Sequence, residues 1–330
     1  MKGKLRVIDG STLYLVGALI YFTLGLFFHF EDERLALIAI QFFVALLPPI
    51  IYLKKKGLPI KETFRFNRLK VKHAIYIGII TILLYPVAML GNLIIPIILS
   101  LFGDLQPPQV PTPNNFREYF ILMVIVSLIA GICEEIFFRG FLLSAYERIG
   151  KTKAIIITAV LFGVFHFNIY NLLGPMVLGL VFGYLVFLTN SIFAGIIGHM
   201  VNNGFAMTLS FLLNTMQSKF PVEELAVESD MSLTMALIST LIFFVVLSAV
   251  TGFLAYLIIE GIKKDFKEEE KKNNVAASSD APLDISNVED VDIELEKELE
   301  KTEASEFLPL IFIIPLYAYI CVVQVKQLFE

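Results

Sequence analysis

Cysteine is almost absent from this sequence: Cys133 and Cys321 are the only two, and both lie inside apolar runs. A disulfide framework and a thiolate zinc cluster are thereby excluded. Charged residues make up only 17% of the chain, and the formal net charge of -5 collects in one late acidic segment. That balance gives no footprint for nucleic acid. Internal repetition is also missing, so an inverted-repeat transporter gains no direct support.

What the sequence has in abundance is apolar residues, at 57%, more than a soluble domain carries. Crossing about 30 Å of hydrocarbon takes about 20 such residues in a helix. Runs of this kind fall at about 12–30, 35–53, 73–102, 118–146, 154–170, 173–190, 192–213 and 233–260, with a last one at about 307–325. The expected fold is an all-α, polytopic transmembrane bundle of eight core spans with a ninth at the C-terminal side. The basic start, MKGKLRV, precedes an apolar run too long for a signal-peptide core, so a retained first helix is expected.

Three divisions follow: a bundle over 1–262, an acidic, disordered linker over 263–306 ending in DIELEKELEKTE, and a further span in 307–330. Lysine and arginine favour cytoplasmic loops. The stretch from Lys54 to Lys72, with Arg6, Arg148, Lys151 and Lys263, places the N-terminus and the acidic linker on the cytoplasmic side of the membrane, which is the cell membrane if the source is prokaryotic.

Charge within hydrocarbon is costly and marks function. The fourth run, GICEEIFFRGFLL, holds Glu134, Glu135 and Arg139. Glu135 and Arg139 are four apart with the acid first, the favourable order for an intrahelical pair. Glu134, turned about 100° away, addresses a different neighbour and is the candidate general base. His29 and His73 sit at span ends, whereas His166 and His199 fall inside apolar runs, with Asn203 one turn beyond His199. From the cytoplasmic helix ends, Glu134 and His166 lie about 18 Å deep, Asn203 about 16 Å and His199 about 10 Å. Carboxylate, two imidazoles and a carboxamide can therefore meet in one cavity. Such a set can activate water and meet a developing oxyanion, or hold a divalent metal such as zinc that does both. The residues do not choose between these. Cys133 reads as a packing residue.

The pattern resembles the CAAX protease and bacteriocin-processing family, also called the Abi or type II CAAX prenyl endopeptidase group. Its paired glutamates and arginine match Glu134, Glu135 and Arg139, its phenylalanine–histidine pair matches Phe162 and His166, and its third motif matches His199 and Asn203. The resemblance covers about residues 118–210. It implies an eight-helix intramembrane endopeptidase acting on a membrane-associated peptide or protein in the lipid bilayer. Glu134 and His199 would activate water, with His166 and Asn203 at the oxyanion and Glu135, Arg139 and Phe162 in support. The competing readings are a non-enzymatic immunity or scaffold protein and a proton-coupled transporter.

Overall fold

A chain inside hydrocarbon must satisfy its own backbone hydrogen bonds, and a helix does so within one segment. The computed structural model describes residues 4–28, 33–105, 111–219, 233–278 and 302–329, and among them every regular element is helical. His29, residues 106–110 of the proline-rich loop and 279–301 of the acidic segment lie outside the described residues.

Among the described residues nine principal helices follow one another: α1 (Val7–Phe28), α2 (Glu33–Lys56), α3 (Val71–Leu99), α4 (Phe116–Ile149), α5 (Lys151–Val164), α6 (Leu173–Thr189), α7 (Ile192–Lys219), α8 (Leu233–Ser278) and α9 (Ala304–Phe329). Eight segments among the described residues are long and apolar enough to cross a membrane, α9 among them. This is an integral, multi-pass membrane protein.

The exception is α5. The apolar run over 154–170 reads as a span, yet the helix has 14 residues, about 21 Å at 1.5 Å per residue. It stops because Phe167 takes a positive φ of 46°, a left-handed conformation that an α-helix cannot continue through. Asn168 then accepts a hydrogen bond from the Tyr170 amide at 2.9 Å and turns the chain toward α6. At the other extreme, α8 continues as helix past Lys263 to Ser278.

One face of the bundle gathers the basic segments. Asp9 accepts a hydrogen bond from Tyr52 at 2.6 Å and sits 3.7 Å from Lys56. Arg65 pairs with Glu147, Lys72 with Asp265 at 2.7 Å, and Asn67 donates to the Asn190 carbonyl at 2.7 Å. His73 belongs to this network. It is buried rather than wet, 3.2 Å from Asp265.

The protein core centres on α4, whose Phe137, Phe138, Phe141 and Tyr146 are fully buried among residues of α1, α2, α5 and α7. Tyr14 of α1 packs its ring against Phe138 and Phe165, and its hydroxyl donates to the Leu161 carbonyl at 2.8 Å. That bond ties α1 to the last turn of α5, beside one of the candidate histidines.

Candidate active site

The acidic pair of α4 sits in a short α-helical stretch, Ala130–Glu135, between two π-helical stretches, Met123–Ile129 and Ile136–Leu142. A π turn takes in an extra residue and re-aims the side chains beyond it, and such turns recur at functional sites. A third, Gln41–Leu46, lies in α2 and packs against this region.

The two glutamates part company in burial. Glu134 keeps 19% of its side chain exposed, whereas Glu135 keeps none. Glu135 Oε1 accepts from Arg139 Nη1 at 2.8 Å and lies 2.9 Å from His199 Nδ1. The guanidinium, also buried, reaches the Gly179 carbonyl at 3.4 Å and lies 4.5 Å from the Phe162 ring centre. A buried carboxylate holding a cation on one side is an acceptor on the other. His199 therefore carries its hydrogen on Nδ1 and turns Nε2, with its lone pair, toward the cavity. Nε2 stands 3.8 Å from Glu134 Oε2.

Gly195 makes room for this arrangement, because a Cβ there would collide with Glu135 Oε2. Gly179 does the same at the crossing of α5 and α6, where a Cβ would come within 2.8 Å of Ala159 Cα. Both glycines let helices pack closely. Gly195 serves the site as well.

His166 lies just past the end of α5 rather than in mid-helix. Its Nδ1 is 2.8 Å from the Phe162 carbonyl. A carbonyl only accepts, so Nδ1 carries the hydrogen and the neutral ring presents a lone pair at Nε2. Phe162 thus touches three members of the group, its ring lying edge-on to His166 at 5.0 Å and to His199 at 5.6 Å as well as under Arg139. Asn203, one turn after His199 on α7, donates one amide hydrogen to the Val126 carbonyl at 2.8 Å. The residue itself lines the cavity.

Glu134, His166, His199 and Asn203 line one cavity of about 440 Å³. Glu135 and Arg139 sit behind its wall. The cavity runs from Glu134 to Pro111 and Thr112 in the loop before α4, and most of its lining is apolar, with Leu37, Met89, Leu178 and Met207 contributing.

Three carboxamides at the site escaped the sequence reading. Gln41 Nε2 donates to Glu134 Oε1 at 2.7 Å, so α2 fixes the free glutamate. Asn92 of α3 accepts from the Gly174 amide at 2.7 Å and donates to Asn171 at 2.8 Å, capping α6 from another helix. Asn202 donates to Asn203 Oδ1 at 3.0 Å and orients that amide. Gln41 and Asn92 are each a lone polar residue in an apolar run, which is the only signal the sequence carries for them, whereas Asn202 directly adjoins the candidate Asn203.

Among the described residues, no group of three or more histidine, cysteine or carboxylate side chains is placed to hold a metal ion. Both histidines spend Nδ1 on a protein acceptor, which leaves Nε2 as the free ring nitrogen, the arrangement a metal-ligating histidine also adopts.

Comparison with known proteins falls on these same helices. Residues 116–205 match the family model described as type II CAAX prenyl endopeptidase Rce1-like. A curated relative, "Putative membrane peptidase YdiL" of Bacillus subtilis, is 37% identical over 90 residues, which are 27% of this chain and 37% of the relative. No solved structure matches. The matched segment holds α4, α5, α6 and the first half of α7, and with them Glu134, Glu135, Arg139, Phe162, His166, His199 and Asn203.

Proposed function

On the premise that residues 116–205 form an Rce1-like core of the CAAX protease and bacteriocin-processing family, we propose that this protein is an intramembrane endopeptidase. Its substrate is a membrane-associated peptide or protein. The observation that carries the reading is the convergence of Glu134, His166, His199 and Asn203 on one mostly apolar cavity.

The chemistry follows from the proton positions. A water held between Glu134 and the lone pair of His199 Nε2 loses a proton to them as its oxygen attacks the scissile carbonyl carbon. Gln41 holds Glu134 in place, and the ionised Glu135 behind His199 stabilises the imidazolium that forms. Negative charge then develops on the carbonyl oxygen, where donors must already be aimed. The second amide hydrogen of Asn203 is one. His166 is the other, but its Nε2 becomes a donor only when the ring is protonated, because Nδ1–H is spent on Phe162. Collapse of the intermediate breaks the C–N bond, and the proton taken from water passes to the leaving nitrogen. The products are a carboxylic acid and an amine, which exchange a proton to become a carboxylate and an ammonium.

Purified protein in lipid nanodiscs, offered a library of membrane-anchored fluorogenic peptides, tests the reading. Glu134→Ala and His199→Ala are expected to lower kcat by about 10²- to 10⁴-fold with the fold retained. Full-rate cleavage by either variant would sink the mechanism. A cellular phenotype that persists in both variants, without cleavage, would favour an immunity or scaffold role instead.

A further inference from the structure

The last helix, α9, lies outside the Rce1-like segment, and most of its surface is exposed and apolar, including Ile311, Ile314 and Val322. One polar side chain points the other way. Gln324 is 9% exposed, and both ends of its carboxamide are occupied. Nε2 donates to the Phe167 carbonyl at 3.2 Å, and Oε1 accepts from the Ile169 amide at 2.9 Å. These two backbone groups flank Asn168, in the turn that ends α5 and carries His166.

A carboxamide among apolar residues in a membrane helix is costly unless its hydrogen bonds are met. Here they are met by groups that α5 and α6 leave without helical partners. The turn has its own need. Phe167 is held at a φ of 46°, and a bulky residue stays in that region only where its surroundings over-determine it. Tyr317, one face of α9 earlier, adds a ring contact to Phe167 at 6.5 Å. The far end of α9 is pinned too: Glu306 accepts from the Ile8 amide at 3.0 Å, and Phe307 stacks on Tyr146 at 5.9 Å. The helix is thus a fixed strut, braced on α1 and α4 at one end and on the His166 turn at the other.

We infer that Gln324 is a positioning residue for His166: it locks the left-handed turn at Phe167 and so sets where the imidazole Nε2 stands in the cavity. The inference rests on the proposed role of His166, and through it α9 belongs to the working site rather than serving as an added anchor.

The test compares the full-length protein with Gln324→Leu, which keeps bulk and removes both bonds, Gln324→Glu, which keeps the bond from Ile169 but cannot donate to Phe167, and Gln327→Leu at an exposed position of the same helix. Two measurements need no substrate: hydrogen–deuterium exchange over 165–171, and the rate at which diethyl pyrocarbonate labels His166, read by mass spectrometry. Gln324→Leu is expected to speed exchange at Ile169 and to change the His166 labelling rate several-fold, Gln324→Glu to lie between it and the parent, and Gln327→Leu to match the parent. With a cleavable peptide, Gln324→Leu is expected to lower kcat about 10- to 100-fold, as a misplaced group does, at nearly constant KM. Unchanged exchange and labelling in Gln324→Leu overturn the inference whatever the activity. A loss of kcat matched by Gln327→Leu overturns it as well. If the parent protein cleaves nothing while exchange and labelling shift as expected, the peptidase reading falls and the positioning of His166 by Gln324 stands.

Discussion

Helices α4 and α8 are both long and apolar, yet half of the most apolar window of α4 is buried within the protein, against 11% for that of α8. Hydropathy alone would rank them together. The difference is what solvates each. Helix α8 packs along α3 on one side and turns Val246 and Phe253 outward on the other, while α4 is surrounded by other helices and can therefore hold a fully buried arginine–glutamate pair. In a bilayer, apolar character sets where a segment sits, and polar partnership sets whether it belongs to the working centre.

Three substitutions can break or sharpen that contrast. The largest effect is expected for Arg139→Ala, which strands Glu135 without its cation. Removing one partner of a buried pair costs about 3–5 kcal/mol, so the midpoint of thermal unfolding in detergent should fall sharply, and an unchanged midpoint would deny the pair any structural weight. Gly195→Ala comes next. On an exposed helix the change to alanine is favourable by about 1 kcal/mol, but here the new methyl group meets Glu135. Overpacking of this kind costs about 1–3 kcal/mol, so the variant should melt below the parent and lose activity with it. Equal or raised stability would show that the α4–α7 crossing has slack. The smallest effect is expected for Val246→Ala, at a side chain 63% exposed on α8. A change of about 0.5 kcal/mol or less is expected there, and a loss comparable to Gly195→Ala would mean that α8 is not a lipid-facing helix.

Much of this molecule was readable from its sequence, for reasons that can be named. Glu135 with Arg139 and His199 with Asn203 are spaced by four, so one helical face unites each pair before any tertiary structure is known. The long apolar runs located eight of the nine expected spans, and the run over 154–170 gave a helix too short to be one. The carboxamides were not readable, because their partners are remote: Gln41 bonds a residue 93 positions away and Gln324 one 155 positions away. No local pattern announces such a contact. The end of α5 was hidden as well, since FHFNIYN contains neither glycine nor proline, and the break depends on a phenylalanine held in a conformation it rarely adopts alone. Proton placement on the two histidines likewise needed the structure, because it is decided by a carbonyl and a carboxylate that spacing does not locate.

The shortness of α5 bears on what can stand beside the cavity. A helix of about 21 Å cannot bridge about 30 Å of hydrocarbon, so its final carbonyls stop at depth, where bare lipid would leave them unsatisfied. The turn beyond it must be sheltered by protein or wetted. Gln324 and Asn168 shelter part of it, and the rest borders the cavity that holds His166. The interruption that sets His166 against the cavity thus leaves a turn whose polar groups are met by protein on one side and border that cavity on the other.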